Sequence, residues 1–343
     1  MRKLLNTLFI DSPNSYLCKE GECIVVKEAN EVVFKTPVNY FESIVCFAYA
    51  GASPALMEMC VENRVGISFL NEYGRFYGRV SGKTKGNVLL RREQYRKADD
   101  DDECLAISKN LITGKIVNCN NVLKRALRDH KDKIDADSIM KVSEKLTFKL
   151  KRIQDSLNCD ELRGIEGDAA KEYYSVFNEL ILNQKDTFVM HSRSRRPPLD
   201  NVNTLLSFLY TILAHEVQNA LETVGLDPYV GYLHTDRPGR ASLALDLMEE
   251  LRPYLSDRLA LTLINLGQVN DNGFIQKESG GVILNKETRR AVLQAWQKRT
   301  RVEIEHPFIN ETVEIGLIPY VQAMLLARYI RGDLESYPPF FMK

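Results

Sequence analysis

One histidine and several carboxylates lie close together in the last third of the chain. His234 falls in the loop segment 231–240, and Asp246, Glu249 and Glu250 follow shortly after it. An imidazole nitrogen with two or three carboxylates forms a hard, oxygen-rich donor set that suits Mg²⁺ or Mn²⁺. An ion in such a site can activate a hydroxyl or water and neutralise the charge on an attacked phosphate. The cluster therefore predicts metal-dependent phosphoryl transfer.

The three acids lie on a predicted helix over residues 242–251. At about 100° per residue they fall on one side of this helix, so the row is expected to face away from the core. Such a row is also typical of a solvated surface, and a lone histidine is typical of a structural residue. The order of the segments favours a site, because the turn at Pro238 and Gly239 can fold His234 back against the acids.

A further carboxylate, Glu166, lies at the edge of the apolar stripe of a predicted helix that begins near Asp160. At that position it is expected to be half-buried. Gly164 and Gly167 are unusual inside a helix and predict the close approach of another backbone or a ligand. The alternative is that Glu166 is an edge-of-core glutamate paired with an arginine.

The composition of the 343 residues is that of an ordinary globular protein, with 44% apolar and 27% charged residues, which excludes disordered and fibrous classes. The 46 Lys and Arg equal the 46 Asp and Glu, so any nucleic-acid surface must be local. The N-terminal segment lacks the pattern of a signal peptide, and no apolar run approaches the roughly 20 residues that span a bilayer. Seven cysteines without a C-x-x-C pair predict reduced thiols in a cytoplasm and no zinc ribbon.

The spacing of apolar residues predicts an α+β chain with two domains. Alternating patterns indicate a mostly-β unit over 1–92, with a hairpin in 24–35, a turn at 73–75 and one short helix over 54–63. A basic-to-acidic linker over 93–103 ends in the acidic tract 99–103, a run that is typical of solvated connections. From 104 to 343 the spacing is helical, which predicts an all-α catalytic domain. One motif is excluded as a zinc site, because 215–219 begins like H-E-x-x-H but ends in asparagine.

Basic residues are concentrated locally on this neutral chain. Eight Lys and Arg but only one acid lie between Arg75 and Lys97, and Arg193, Arg195 and Arg196 precede two prolines. Each run could be a solvated face. Together they predict surfaces that bind phosphates with a steep dependence on salt.

Several strings in the helical part resemble the CRISPR adaptation integrase family, Cas-one, the larger subunit of the spacer-acquisition complex. They are LRGIEGDAAKEYY (162–174), RSRRPPLDNVNTLLSFLYTIL (193–213), GYLHTDRPGRASLALDLMEELRP (231–253) and the tail YPPF (337–340). The N-terminal strings GASPALM (51–57), GRFYGRVSG (74–82) and GNVLLRREQY (86–95) are most similar to the form that accompanies subtype I-C systems.

The resemblance implies a ligand set for Mg²⁺ or Mn²⁺. The glutamate of the G-x-E-G motif, the histidine of the L-H motif and an acid of the D-L-x-E helix correspond to Glu166, His234 and Glu249. Asp246 matches a family acid near the site and is expected to support a ligand or position DNA. The choice of Glu249 over Glu250 rests on its three-residue spacing from Asp246.

The resemblance also implies the reaction and the assembly. The 3′-hydroxyl of a captured DNA fragment attacks a phosphodiester at the edge of a CRISPR repeat, a metal-assisted transesterification. The expected architecture is an N-terminal β-sandwich that forms a homodimer, joined to a helical catalytic domain, with two dimers bridged by the small subunit Cas-two in a hetero-hexamer in the prokaryotic cytoplasm. The residues expected to contact double-stranded DNA are Arg193, Arg195, Arg196, Tyr210, Arg237 and Arg240.

Two other functions stay open at this stage. A stand-alone nuclease on branched DNA would use the same metal site but yield no joined product. A non-catalytic DNA-binding scaffold would need the acids only to neutralise nearby arginines.

Overall fold

The computed structural model describes residues 6–47, 50–71, 76–80, 82 and 88–342. Its N-terminal part contains eight strands and one helix among these residues. The strands are β1 (Asn6–Ile10), β2 (Tyr16–Glu20), β3 (Cys23–Glu28), β4 (Glu31–Pro37), β5 (Phe41–Cys46), β6 (Gly51–Ala52), β7 (Gly66–Leu70) and β8 (Phe76–Val80). Helix α1 (Pro54–Glu62) begins after Ser53, whose side chain accepts a hydrogen bond from the Leu56 amide and so caps the helix.

The strands form two four-stranded sheets, in the orders β1-β5-β7-β8 and β4-β3-β2-β6. Ile10 and Ile44 from the first sheet and Leu17 and Ile24 from the second are buried in one shared core, which confirms the predicted sandwich. The predicted hairpin in 24–35 is also confirmed, since β3 pairs antiparallel with β4. The turn predicted at 73–75 lies outside the described residues.

The chain divides into two compact units, residues 1–85 with 286–298 and residues 86–285 with 299–343. This division groups residues 88–92 with the second unit, whereas the predicted first domain included them. It also assigns most of helix α9 (Lys286–Thr300) to the first unit, which no local pattern in the sequence indicated.

The second unit is dominated by helices, as predicted. They are α2 (Val88–Ala98), α3 (Asp101–His130), α4 (Ala136–Asp155), α5 (Cys159–Ser175), α6 (Asn201–Val224), α7 (Ser242–Glu249), α8 (Arg258–Asn265) and α10 (Ile318–Ile330). Two short hairpins were not predicted: β9 (Phe274–Gln276) with β10 (Val282–Leu284), and β11 (Glu303–Glu305) with β12 (Thr312–Glu314). No helix in the described part of the chain is long and apolar enough to cross a membrane.

The acidic tract 99–103 starts a helix and is not an extended linker. The Asp100 side chain accepts hydrogen bonds from the amides of Asp102 and Glu103, at 2.9 and 3.1 Å, and so caps α3. The acids of the first turn also oppose the positive end of the helix dipole. The predicted linker 93–103 therefore consists of the end of α2, a short turn and the start of α3.

Helix α7 ends at Glu249, two residues before the end of the helix predicted over 242–251. A π-helical turn, Arg252–Asp257, follows it and leads into α8. Pro253 lies in this turn and cannot donate a backbone hydrogen bond, so a regular α-helix cannot continue through it. The turn carries Arg252 and Asp257, both of which contact residues of the site described below.

Candidate active site

Glu166 and Glu249 converge on one lysine, Lys115. Helix α3 supplies Lys115, α5 supplies Glu166 and α7 supplies Glu249. The Lys115 Nζ atom contacts Glu166 Oε1 and lies 2.7 Å from Glu249 Oε2. The side chains of Lys115 and Glu249 are only 9% and 4% exposed, whereas that of Glu166 is 23% exposed. Two of the three predicted ligands thus contact the same largely buried ammonium group, and Glu166 is the more exposed of the two.

A second cation, Arg252, holds Glu249 from the other side. Its Nη1 atom lies 2.6 Å from Glu249 Oε1. Although burial opposes ionisation, Arg252 and Lys115 lower the pKa of Glu249 to about 2. Burial likewise disfavours the charge of Lys115, but Glu249 and Glu166 raise its pKa. Glu249 and the two cations that hold it, Lys115 and Arg252, are therefore ionised at neutral pH.

The predicted fold-back of the His234 loop is present, and Asp246 holds it. Asp246 accepts hydrogen bonds from the amides of Tyr232, Leu233 and His234 at 2.7, 3.0 and 2.9 Å. Its Oδ1 atom also lies 2.6 Å from His234 Nδ1. Because a carboxylate accepts, Nδ1 carries the proton in this contact, and in the neutral imidazole Nε2 is the nitrogen that can bind a metal ion.

Gly231 lets this loop come close to α7. A Cβ atom at this position would lie 2.7 Å from Ser242 Cβ and 2.9 Å from Asp246 Oδ2. Any larger residue would therefore push the loop off the carboxylate that binds it. By contrast, a Cβ built at Gly164 or Gly167 would have no atom of the described residues within 4 Å outside its own helical turns. Of the two predicted neighbours, another backbone or a ligand, the described part of the chain thus supplies no backbone.

The expectation that the acids of α7 face away from the core is wrong. Asp246, Glu249 and Glu250 are 0%, 3% and 0% exposed. Helical spacing could not show this, because the burial of each carboxylate depends on partners from distant parts of the chain. Glu249 pairs with Lys115 of α3, and Glu250 accepts hydrogen bonds from the C-terminal segment.

Glu250 belongs to a network separate from the lysine cluster. Its carboxylate accepts hydrogen bonds from the Tyr337 hydroxyl, the Gln322 amide at 2.9 Å and the Phe340 backbone amide at 2.9 Å. Burial raises the pKa of Glu250 to about 8, although these hydrogen bonds act in the opposite direction. The tail with Tyr337 and Phe340, both 1% exposed, is thus packed into the unit.

The donor chemistry of the site fits a hard divalent cation. Glu166 and Glu249 offer carboxylate oxygens and His234 an imidazole nitrogen, and Glu249 Oε2 is buried without a well-aligned hydrogen bond. His234 is near enough to contribute to the lowered pKa of Glu249. Among the described residues, however, no three His, Cys, Asp or Glu side chains already stand in metal-binding geometry. Lys115 pairs with both glutamates, so the partner of Glu166 is a lysine and not the arginine of the alternative interpretation.

The residues predicted to contact DNA fall into two groups. Arg195, Arg196 and Arg237 are exposed. Arg193, Tyr210 and Arg240 make hydrogen bonds within the protein. Arg240 donates to the Thr235 carbonyl oxygen and so braces the His234 loop.

Arg193 and Tyr210 belong to an aromatic cluster that also contains Tyr174. The Arg193 guanidinium lies 5.9 and 5.3 Å from the ring centres of Tyr174 and Tyr210, and that of Arg252 lies 4.9 Å from the Tyr210 ring. The Tyr210 hydroxyl donates to Asp257 Oδ1 at 2.6 Å. Burial raises the pKa of Asp257 to about 6. These contacts support Arg252, which in turn orients Glu249.

Sequence reasoning missed Lys115 and Arg252. A signal for Lys115 was present, because it continues the apolar spacing of Leu111, Ile112 and Ile116 on the buried face of α3. A lysine at such a position requires a charge partner. Arg252 had no comparable signal, because it follows an unpredicted change of helix type.

Comparisons with known proteins identify the family. Residues 8–298 match the family model described as CRISPR associated protein Cas1. The chain belongs to the Cas1 family. A Cas1 endonuclease of Chlorobaculum tepidum is 47% identical over 340 residues, which cover 99% of each chain. The predicted membership in the Cas-one family is therefore confirmed.

Solved structures agree with this assignment. A Cas1 protein from Thermotoga maritima superposes with a TM-score of 0.82 at 25% identity, covering 98% of this chain and 100% of that one. A casposase bound to an integration product gives a TM-score of 0.84 at 20% identity over 99% of this chain and 95% of that one, a likeness that shows the fold. This Cas1 chain is an enzyme of the CRISPR-associated endonuclease family.

Proposed function

We propose that this Cas1 joins the 3′-hydroxyl ends of captured foreign DNA to a CRISPR repeat by transesterification, with Glu166, His234 and Glu249 as ligands of Mg²⁺ or Mn²⁺. The observation that carries the proposal is the convergence of Glu166 and Glu249 on one buried ammonium group. Two carboxylates that share a positive charge can share a divalent cation at the same point. Glu249 is the third ligand in preference to Glu250, whose oxygens are taken by Gln322, Tyr337 and Phe340.

Asp246 and Arg252 orient two of the proposed ligands. Asp246 fixes the ring and tautomer of His234, and Arg252 fixes Glu249 through Oε1, which leaves Oε2 directed at the shared point. When bound, the cation supplies charge neutralisation for the attacked phosphate and the departing oxygen. Rigid ligands matter here, because catalysis by positioning is lost when the reacting groups shift by about 1 Å.

DNA is the proposed substrate, and exposed arginines are its proposed anchors. Arg195, Arg196 and Arg237 lie on the surface of the helical unit, near in sequence to His234 or the aromatic cluster. We assign them to phosphate contacts, and we assign Arg193, Tyr210 and Arg240 to support of the site. This division follows from their exposure and internal contacts.

The finer assignments from the sequence are part of the same proposal. The N-terminal strings support a subtype I-C system in a prokaryotic cytoplasm. The β unit is proposed to form a homodimer, for which the edge strand β4 offers exposed Val32, Val33 and Phe34. Two dimers would bind the small subunit Cas-two in a hetero-hexamer.

A strand-joining assay tests the proposal. The purified protein, with and without Cas-two, is incubated with a 3′-hydroxyl DNA duplex, a repeat-containing plasmid and Mn²⁺. We expect a joined product that increases with Cas-two and is absent for a duplex with 3′-dideoxy ends. Cutting of branched DNA without joining would indicate the stand-alone nuclease, and unchanged DNA processing by a folded His234→Ala variant would indicate the scaffold.

A further inference from the structure

Lys115 occupies the point where the two glutamates meet. Its Nζ atom contacts Glu166 Oε1 and Glu249 Oε2, the second at 2.7 Å. Arg252 binds the other oxygen of Glu249, Oε1, at 2.6 Å. Lys115 and Arg252 therefore bind different oxygens of Glu249. The oxygens that Lys115 contacts, Glu166 Oε1 and Glu249 Oε2, are those proposed above to bind the divalent cation.

Electrostatics explains why an ammonium group stands there. Two carboxylates in a largely buried site repel each other, and an unpaired buried charge is strongly unfavourable. The lysine ammonium is a compact charge with three donors on a flexible stem, so it can bridge two separate oxygens and can also move away. An arginine would be larger and would bind one carboxylate through a planar fork.

We infer that Lys115 is a positioning residue, a tethered internal counter-ion that holds Glu166 and Glu249 together and competes with the divalent cation for them. The inference rests on the proposed ligand assignment. A cation that binds the two glutamates must displace the ammonium group, so the protein binds it more weakly than the donors alone would. In return, the ligands stay assembled when no cation is bound.

Calorimetric titration with Mn²⁺ tests the competition without any measurement of activity. We expect Lys115→Met to bind Mn²⁺ about tenfold or more tightly than the unaltered protein, because competition and charge repulsion are both removed. The matched control is Lys149→Met, since Lys149 is similarly buried but lies near Asp168 at 3.7 Å. Its affinity for Mn²⁺ should be unchanged. Equal or weaker binding by Lys115→Met would overturn the inference.

A second measurement uses the unaltered protein and so does not depend on the folding of a variant. Reductive methylation followed by peptide mass spectrometry reports how accessible each lysine is. We expect Lys115 to be modified about tenfold faster with saturating Mn²⁺ than with EDTA, because the displaced side chain leaves its carboxylate partners. Lys149 should react at the same rate in both. An equal rate for Lys115 would show that its ammonium group stays in place and would overturn the inference.

Glu166→Gln separates failure of this inference from failure of the proposed function. If Glu166→Gln weakens Mn²⁺ binding while Lys115→Met does not strengthen it, the ligand assignment stands and the competition is refuted. If Glu166→Gln leaves Mn²⁺ binding unchanged, the ligand assignment itself is wrong, and the inference is overturned with it.

Discussion

Glu249 and Glu250 are neighbours in the chain, but their carboxylates enter two separate networks. Glu249 faces Lys115 and Arg252, while Glu250 binds the tail through Tyr337 and Phe340. The end of α7 thus joins a charged cluster, through Glu249, to the anchored C-terminal segment, through the following residue Glu250. This arrangement makes Glu249 the acid available to a cation and gives Glu250 a structural role.

Loss of any proposed ligand should stop strand joining without loss of DNA binding. We expect Glu166→Gln, His234→Ala and Glu249→Gln each to reduce the joining rate by at least about 100-fold, because the stabilisation of developing charge is lost. DNA affinity, measured by fluorescence anisotropy, should change little. Glu172→Gln is the control, since Glu172 lies on α5 like Glu166 but pairs with Lys145. Joining at the normal rate by a variant removes that residue from the ligand set.

Asp246→Asn should weaken cation binding through His234. The substitution removes the charge that binds three backbone amides and Nδ1, so the loop and ring lose their fixed orientation. Residues that orient metal ligands typically change affinity by about 10–100-fold, and we expect a loss of that size. Titration with Mn²⁺ measures it. An unchanged dissociation constant for the folded variant would show that His234 does not depend on Asp246.

The exposed arginines should dominate the salt dependence of DNA binding. Arg195→Ala combined with Arg196→Ala should weaken binding uniformly across sequences and lower the salt slope by roughly 1 for each lost phosphate contact. A double variant at Arg128 and Arg331 is matched in charge, but each of these arginines already pairs with an aspartate. It should leave the slope nearly unchanged. Equal slopes for both double variants would exclude Arg195 and Arg196 from the DNA surface.

Asp257 should make the protein less stable as the pH rises from about 4 to 6. Burial raises its pKa from 3.8 to about 6, so in this range the folded state holds a proton that the unfolded state has lost. The contribution of Asp257 to the free energy of unfolding is therefore fully present below about pH 4. Above that pH it falls by about 1.4 kcal/mol per pH unit, until the carboxyl group of the folded state ionises near pH 6. Urea unfolding at several pH values should show a flatter profile for Asp257→Asn. If stability varied with pH in the same way in the unaltered protein and in Asp257→Asn, the raised pKa of Asp257 would be contradicted.

Much of the fold followed from local patterns. The hairpin of β3 and β4 and helix α1 agree with the patterns of apolar residues, since each depends on residues close in sequence. The fold-back of His234 could be predicted for the same reason, as Asp246 is only twelve residues away.

Features set by distant contacts could not be predicted in this way. The burial of Glu250 depends on Tyr337, and that of Glu249 on Lys115, partners that no helical period can identify. The same holds for the contacts of Arg193 with the rings of Tyr174 and Tyr210, which the basic run around Arg193 did not indicate. In each case the same residue type can be a solvated surface residue or a buried, paired one, and only its contact with a residue distant in sequence decides between the two.

A crystal of the protein soaked in Mn²⁺ tests the shared cation site most directly through anomalous scattering. We predict one peak within roughly 2.2 Å of Glu166, Glu249 Oε2 and His234 Nε2, with the Lys115 ammonium displaced from the two carboxylates. A peak at another place, or one that leaves out His234 while Lys115 still bridges the glutamates, would contradict the proposed site.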